Sequence, residues 1–232
     1  MTMKPKKLFD QVRNEGRNNL TELESRRILE YYKIPVVEGK VIQEIEGALN
    51  FAGKYGYPLV LKIVSKDIIH KTDAGGVKVG IENEKELRDG IVDLIKTVKK
   101  NRPDAKIDGI FIQKMLPEAP EVIIGGKKDP TFDQVVLFGL GGIFVEVFED
   151  VSFRVVPINK MEAGEMITEI KGLKILKGVR GKDPVDFKAL IDIIVKTSKM
   201  LEENPDIEEL DINPVFAFTD GALAVDARII ID

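Results

Sequence analysis

The sequence has no cysteine, no tryptophan and a single histidine in 232 residues. Without cysteine there is no disulfide framework, no thiolate metal site and no cysteine nucleophile. A long apolar stretch is also missing. The longest uninterrupted run of apolar residues and glycine is 135–145, against the roughly 20 residues that cross a bilayer. Lys4, Lys6 and Lys7 lie near the start with no apolar segment behind them, so no secretory leader is expected. Nor is there an excess of basic charge: 35 Lys+Arg stand against 39 Asp+Glu, for a net charge of −4. That balance argues against a nucleic-acid face or a membrane surface as the main partner. A cytoplasmic protein is expected. The absence of a fixed-period repeat or a low-complexity linker leaves one large domain or two small lobes.

What is present is an alternation of helix and strand patterns. Thr21 and Glu24 have capping-box spacing and open a helix predicted to run to about Tyr32, before Ile34-Pro35. Ile45, Ala48, Leu49 and Ala52 recur at helical spacing ahead of Gly56, and Leu87, Ile91, Leu94, Ile95 and Val98 form a second amphipathic face. Asp183-Pro184 is read as the start of a helix carrying Phe187, Leu190, Ile191, Ile194 and Leu201, and a shorter helix is expected over 163–170. Strands rich in Val, Ile and Phe are predicted at 59–64, 77–81, 109–115, 121–125, 135–138, 144–148 and 153–158. A final pair, 210–218 and 222–229, is joined through Thr219-Asp220-Gly221. Helices and strands do not alternate one for one. The pattern reads as α+β with mostly antiparallel sheets in two lobes.

Three constellations can carry chemistry. In 62–78 the only histidine, His70, sits in a polar turn between two strands, with Lys62, Lys66, Lys71 and Lys78 against Asp67 and Asp73 and with Gly75-Gly76 at its end. Backbone N–H groups of a Gly-rich turn beside lysines suit a polyphosphate. A hairpin turn with solvated lysines explains the same residues, and the Walker pattern is missing. A neutral imidazole, with an ordinary pKa of about 6.5, is a competent nucleophile near pH 7 and can accept a phosphoryl group. The second constellation is Phe138-Gly-Leu-Gly-Gly142 running on to Glu146, read either as close backbone approach to a ligand or as a tight turn. The third lies near the C-terminus. Glu202, Glu203, Asp206, Glu208 and Glu209 read as a solvated acidic face, while Asp211, Asn213 and Asp226 would project from one face of adjacent strands. Hard oxygens of that kind suit Mg²⁺ shared with nucleotide phosphates; an Asx-type turn residue and a strand-end acid explain Asn213 and Asp226 equally well.

Taken in order, Tyr57-Pro-Leu-Val-Leu-Lys62, Asp67-Ile-Ile-His-Lys-Thr-Asp-Ala-Gly-Gly76, Glu121-Val-Ile-Ile-Gly-Gly-Lys-Lys-Asp-Pro130, Phe138-Gly-Leu-Gly-Gly142, Val151-Ser-Phe-Arg154 and Glu209-Leu-Asp-Ile-Asn-Pro214 resemble the ATP-grasp β subunits of ADP-forming acetyl-CoA (acyl-CoA) synthetases. Succinyl-CoA synthetase β is a more distant likeness, and a histidine at the position of His70 points to the acetyl-CoA type. The resemblance implies an ATP-grasp fold, two α+β lobes around a nucleotide cleft. The N-terminal lobe (lid) would span 20–112, and the other lobe 1–19 with 113–232. It implies that Lys62 reaches the phosphates of ATP or ADP and that Gly75 and Gly76 cradle them. Gln113, Lys114 and Met115 would meet adenine, and Glu121 the ribose. Asn213 and Asp226 would hold Mg²⁺, and Asp211 would face the phosphohistidine segment of a CoA-binding α subunit, in an α2β2 heterotetramer. His70 would relay the phosphoryl group in acyl-CoA + ADP + phosphate ⇌ acid + ATP + CoA. Arg154 and Arg228 are further phosphate candidates. Two other readings fit parts of the pattern: a sensor lobe beside an acetyltransferase that transfers nothing, and a free-standing carboxylate ligase.

Overall fold

The computed structural model describes residues 3–68, 71–142, 150–179 and 181–232. The elements follow local chemistry closely. Thr21 and Glu24 form the reciprocal capping box, Thr21 accepting from the Glu24 N–H and Glu24 from the Thr21 N–H at 2.7 Å, which opens α2 (Glu22–Tyr31). Such a cap stabilises a helix by about 1 kcal/mol. Ahead of it α1 (Pro5–Asn14), a helix outside those predicted above, has Pro at its first turn and buries Leu8, Phe9 and Val12.

Residues Val37–Pro117 form one compact unit. It contains β1 (Gly39–Ile42), α3 (Ile45–Tyr55), β2 (Leu59–Val64), β3 (Val77–Ile81), α4 (Glu84–Asn101) and β4 (Gly109–Lys114). The sheet order is β1-β4-β2-β3, antiparallel throughout. Helices α3 and α4 bury Phe51, Leu87, Leu94 and Val98 against Leu59, Leu61, Ile63, Ile110 and Ile112 on one face. Truncating such a residue to alanine costs about 2–5 kcal/mol. Strand alternation therefore sends Val60, Lys62, Phe111 and Gln113 to the opposite face.

The remaining chain, 1–36 and Glu118–Asp232, forms the second and larger unit; α2 belongs here because it packs on β10 (Ala227–Ile231). Its other elements are β5 (Glu121–Asp129), β6 (Asp133–Leu140), β7 (Val151–Val155), α5 (Lys160–Glu169), α6 (Leu173–Leu176), α7 (Phe187–Glu203), β8 (Ile207–Phe218) and β9 (Gly221–Ala224). The antiparallel order is β10-β8-β5-β6-β7, with β9 also on β8. Helices α1, α5 and α7 cover the face carrying Val122, Ile124, Val136, Phe138, Leu210 and Ile212.

Several boundaries differ from the sequence reading. Strand β5 runs to Asp129, and the hairpin into β6 was missed; Asp129 Oδ1 accepts from the N–H groups of Thr131 and Phe132 at 2.8 and 3.0 Å. Helix α7 starts later than Asp183-Pro184, because Asp186 caps it through the Ala189 N–H at 3.1 Å. Strand β7 ends at Val155, before Pro157. The predicted strand 222–229 is two strands, broken at Val225-Asp226. The predicted strand 144–148 lies outside the described residues. Among the described residues no helix is long and apolar enough to cross a membrane.

Candidate functional site

In the smaller unit the β2–β4 ladder runs without a register shift from Leu59↔Lys114 to Val64↔Gly109. It sets Lys62 beside Phe111 and Val60 beside Gln113. All four are buried, Lys62 at 5% exposure and Gln113 at 2%. The ring of Phe111 lies over Gly39: a Cβ at Gly39 would stand 2.5 Å from the ring edge. Gln113 Oε1 is buried without a hydrogen-bond partner. An orphaned acceptor costs about 1–3 kcal/mol in the free chain and is a ready partner for a donor brought by a ligand. Lys114 and Met115 follow at the strand end, their N–H groups donating to Glu38 O at 3.0 Å and Pro58 O at 3.0 Å.

The glycines of the β2–β3 connection are accounted for by the turn itself. Gly75, at φ +66°, donates to Thr72 O at 2.9 Å, and Gly76 donates to Lys71 O at 2.7 Å. A Cβ on Gly75 would lie 2.6 Å from Thr97 Cγ2, and one on Gly76 2.6 Å from Ile63 Cγ2. Both amides expected to cradle phosphate therefore donate inside the turn in this conformation. Ile69 and His70 lie outside the described residues.

In the larger unit the acid-rich strand is irregular where the sequence placed its chemistry. Between Val122↔Val215 and Ile124↔Ile212 the β5–β8 register shifts, so Asn213-Pro214 is an extra step in β8, a bulge of the kind that re-aims side chains beside active sites. Opposite it, β9 and β10 are interrupted. Asn213 N–H donates to Asp226 O at 3.2 Å and Val225 N–H to Pro214 O at 3.0 Å, which fastens the break to the bulge. Asp226 Oδ1 accepts from the Ala227 N–H at 2.8 Å.

Asp211 pairs across the ladder with Arg228 and lies two residues from Asn213 on the same strand. Burial pushes its carboxyl above the ordinary carboxylate range. Arg228 and Asn213 work against that rise, while Glu209 and Asp226 add to it. Arg228 Nη2 donates to Glu209 Oε1 at 2.7 Å. The structure thus brings Asp211, Asn213 and Asp226 together. Among the described residues no group of three or more His, Cys, Asp or Glu is arranged to hold a metal; a cation here would take oxygens from Asn213 and Asp226 and the rest from its ligand, a donor set that suits Mg²⁺.

Glu121 opens β5 and is exposed, its carbonyl accepting from the Gly141 N–H at 2.8 Å. Gly139 and Gly141 serve close packing, with a Cβ on Gly139 meeting Asp150 O at 2.8 Å and one on Gly141 meeting Glu121 Cβ at 3.0 Å. Residues 143–149, with Glu146, lie outside the described residues. Arg154 is tied to Glu169 and Glu165 on α5. Sequence reasoning missed Gly39, Val60 and Phe111. Their signal, a glycine lying diagonally under an aromatic of the neighbouring strand, is visible only once β1 is known.

The ATP-grasp domain family matches residues 11–231. The β subunit of ADP-forming acetate–CoA ligase I of Pyrococcus furiosus is 50% identical over 228 residues, 98% of each chain. The ADP-forming acetate–CoA ligase I of Archaeoglobus fulgidus is 39% identical over 94% of this chain but only 32% of its own length. Acetyl-coenzyme A synthetase 1 of Ca. Korarchaeum cryptofilum, solved with coenzyme A, Ca-AMPCP and HgCl+, superimposes with a TM-score of 0.94 at 43% identity, over 99% of this chain and 100% of that one. A second structure of that enzyme, with coenzyme A and Mg-AMPPCP, has its phosphohistidine segment pointing towards the nucleotide-binding site; it matches with a TM-score of 0.86 at 40% identity, again over 99% and 100%. The chain belongs to the ATP-grasp family, among the β subunits of ADP-forming acetate–CoA ligases.

Proposed function

We propose that this chain binds ADP or ATP and relays a phosphoryl group between a histidine of a CoA-binding partner subunit and the nucleotide, through His70. The observation that carries the reading is the paired arrangement of Asp211, Asn213 and Asp226 at the bulge of β8, in a chain that shares half its residues with such a β subunit. The Archaeoglobus relative, in which the matched region is about a third of one longer chain, supports a partner that supplies the CoA-binding part; an α2β2 assembly follows from the same reading.

Gln113 Oε1, the orphaned buried acceptor, meets the exocyclic amine of adenine. Lys114 and Met115 frame the base at the strand end, and Glu121 takes a ribose hydroxyl. Lys62 supplies the charge at the phosphates. The amides of Gly75 and Gly76, spent within the turn, shape the connection that carries His70. Asn213 and Asp226 hold Mg²⁺, which when bound neutralises charge on the phosphate oxygens. Asp211 accepts the second ring N–H of the incoming histidine and fixes its orientation.

In the forward direction a His70 ring nitrogen attacks phosphorus, and the N–P bond to the partner's histidine breaks as the new N–P bond forms. An ADP β-phosphate oxygen then attacks the same phosphorus, and the His70 N–P bond breaks to leave ATP and free imidazole. Such transfers depend on positioning and charge more than on covalent assistance. The test is ATP formation from acetyl-CoA, ADP and phosphate by this chain mixed with the CoA-binding subunit. Turnover that requires both chains is expected; nucleotide binding with no phosphoryl transfer by the mixture would overturn the reading in favour of a sensor.

A further inference from the structure

Strands β2 and β3 are antiparallel neighbours that a two-residue hairpin would join, yet their connection runs over 65–76. That is long for a hairpin connection, for which about 2–5 residues is usual. This one is fastened at both arms. On the first arm Ser65 is buried and its Oγ accepts from the Asp67 N–H at 3.1 Å, Ile68 enters the core at 4% exposure, and Asp67 Oδ2 accepts from the Lys106 N–H at 2.8 Å. On the second arm Ala74 is 2% exposed, its carbonyl accepts from Asn101 Nδ2 at 3.2 Å, and Gly75 is seated directly against Thr97. Thr97 and Asn101 are one turn apart on α4, so they share a face.

Both arms are therefore tied to a single base, the C-terminal end of α4 and the residues that follow it. Asp108 N–H extends that base by donating to Val64 O at 2.8 Å. Asp67 and Asn101 are themselves exposed. Their side chains fill no core, and what they do is fix backbone on either side of Ile69 and His70 in the sequence.

We infer that Asp67 and Asn101, with Thr97 as a packing stop, are positioning residues for the segment that carries His70. The inference rests on the relay proposed above. Phosphoryl transfer needs near-in-line geometry, and a displacement of about 1 Å can cost about a hundredfold in rate. Two hydrogen bonds to backbone, one per arm, are a direct means of preventing that displacement while leaving nucleotide contacts elsewhere.

The test is single-turnover transfer from γ-labelled ATP with Mg²⁺ to His70, localised by peptide mapping, in the enzyme assembled with its CoA-binding partner. Asp67→Ala and Asn101→Ala are each expected to slow labelling at least about tenfold. Nucleotide affinity is expected to stay within about twofold of the parent. Asp67→Asn, whose amide oxygen still accepts from Lys106 N–H, restores the parent rate. Labelling at the parent rate in both alanine variants, with none in His70→Ala, would overturn the positioning role and leave the relay standing. A rate lost in step with nucleotide affinity would also overturn it, since that marks a general scaffold. His70→Ala with full turnover would overturn the relay itself. If the alanine variants fold poorly, Asn101→Asp, isosteric but without the donor, decides by the same two readouts.

Discussion

In the smaller unit Lys62, Phe111 and Gln113 lie buried in a ladder whose register never slips, whereas in the larger unit Asp211, Asn213 and Asp226 gather where register fails, at a bulge facing a strand break. A regular ladder presents side chains at fixed intervals on a flat face, which suits a planar base and a single cation directed at phosphates. A bulge turns backbone as well as side chains and so re-aims the side chains beside it. The contrast also predicts how each region responds to substitution.

The largest expected effect is on the irregular side. Asp226→Ala should lower ATP formation about 10²–10³-fold, the scale on which a preorganised electrostatic contact acts in the transition state, while the thermal midpoint changes little because Asp226 sits outside the apolar cluster. Steady-state rates at saturating Mg²⁺ check it; retained turnover would remove Asp226 from the site.

On the regular side, Lys62→Met should weaken nucleotide binding about 10–100-fold, the scale for losing a charge-assisted contact to phosphate. Lys62 also has contacts within the fold, so some loss of stability should accompany the loss of binding. Titration calorimetry and thermal melts separate the two quantities. A variant that loses stability but still binds nucleotide would make Lys62 structural and break the contrast.

Gly39→Ala tests the ladder's flat face through packing alone. A methyl group 2.5 Å from the Phe111 ring edge forces one of them to move and should cost about 1–3 kcal/mol. Chemical denaturation measures this; an unchanged midpoint would show that the ring is free to swing aside.

The smallest effect lies away from both faces and calibrates them. Burial pushes the Glu24 carboxyl up, but hydrogen bonds from Arg17 and the Thr21 N–H outweigh it and hold the carboxyl below its ordinary value. The unfolded chain therefore binds that proton more readily. The stabilisation is complete above about pH 4.3 and is lost as pH falls through the lower folded value. Glu24→Gln should cost about 1 kcal/mol at neutral pH and flatten the acid limb of the stability curve below about pH 4. An acid limb unchanged in shape would contradict this.

What the sequence revealed follows the same division. The capping box at Thr21, the stop at Gly56 and the amphipathic face from Leu87 to Val98 are local signals, and each stands where it was read. The antiparallel α+β class was also legible, because the strands crowd together without intervening helices. Strand β1 was not: Gly-Lys-Val-Ile is short, and its glycine makes sense only against Phe111. The break at Val225-Asp226 was hidden inside a run of strand-forming residues; it is fastened to the bulge by Pro214 O, which accepts from the Val225 N–H. The double glycine was legible as a turn but not as packing: only the fold shows Gly75 and Gly76 seated against Thr97 and Ile63.

The most direct measurement incubates the assembled enzyme with γ-labelled ATP and Mg²⁺, digests it, and finds which peptide of this chain holds phosphorus. The account predicts acid-labile, base-stable label on the peptide containing His70, discharged to ATP when ADP is added. A chain that supports full turnover while its His70 peptide never takes up label would contradict it.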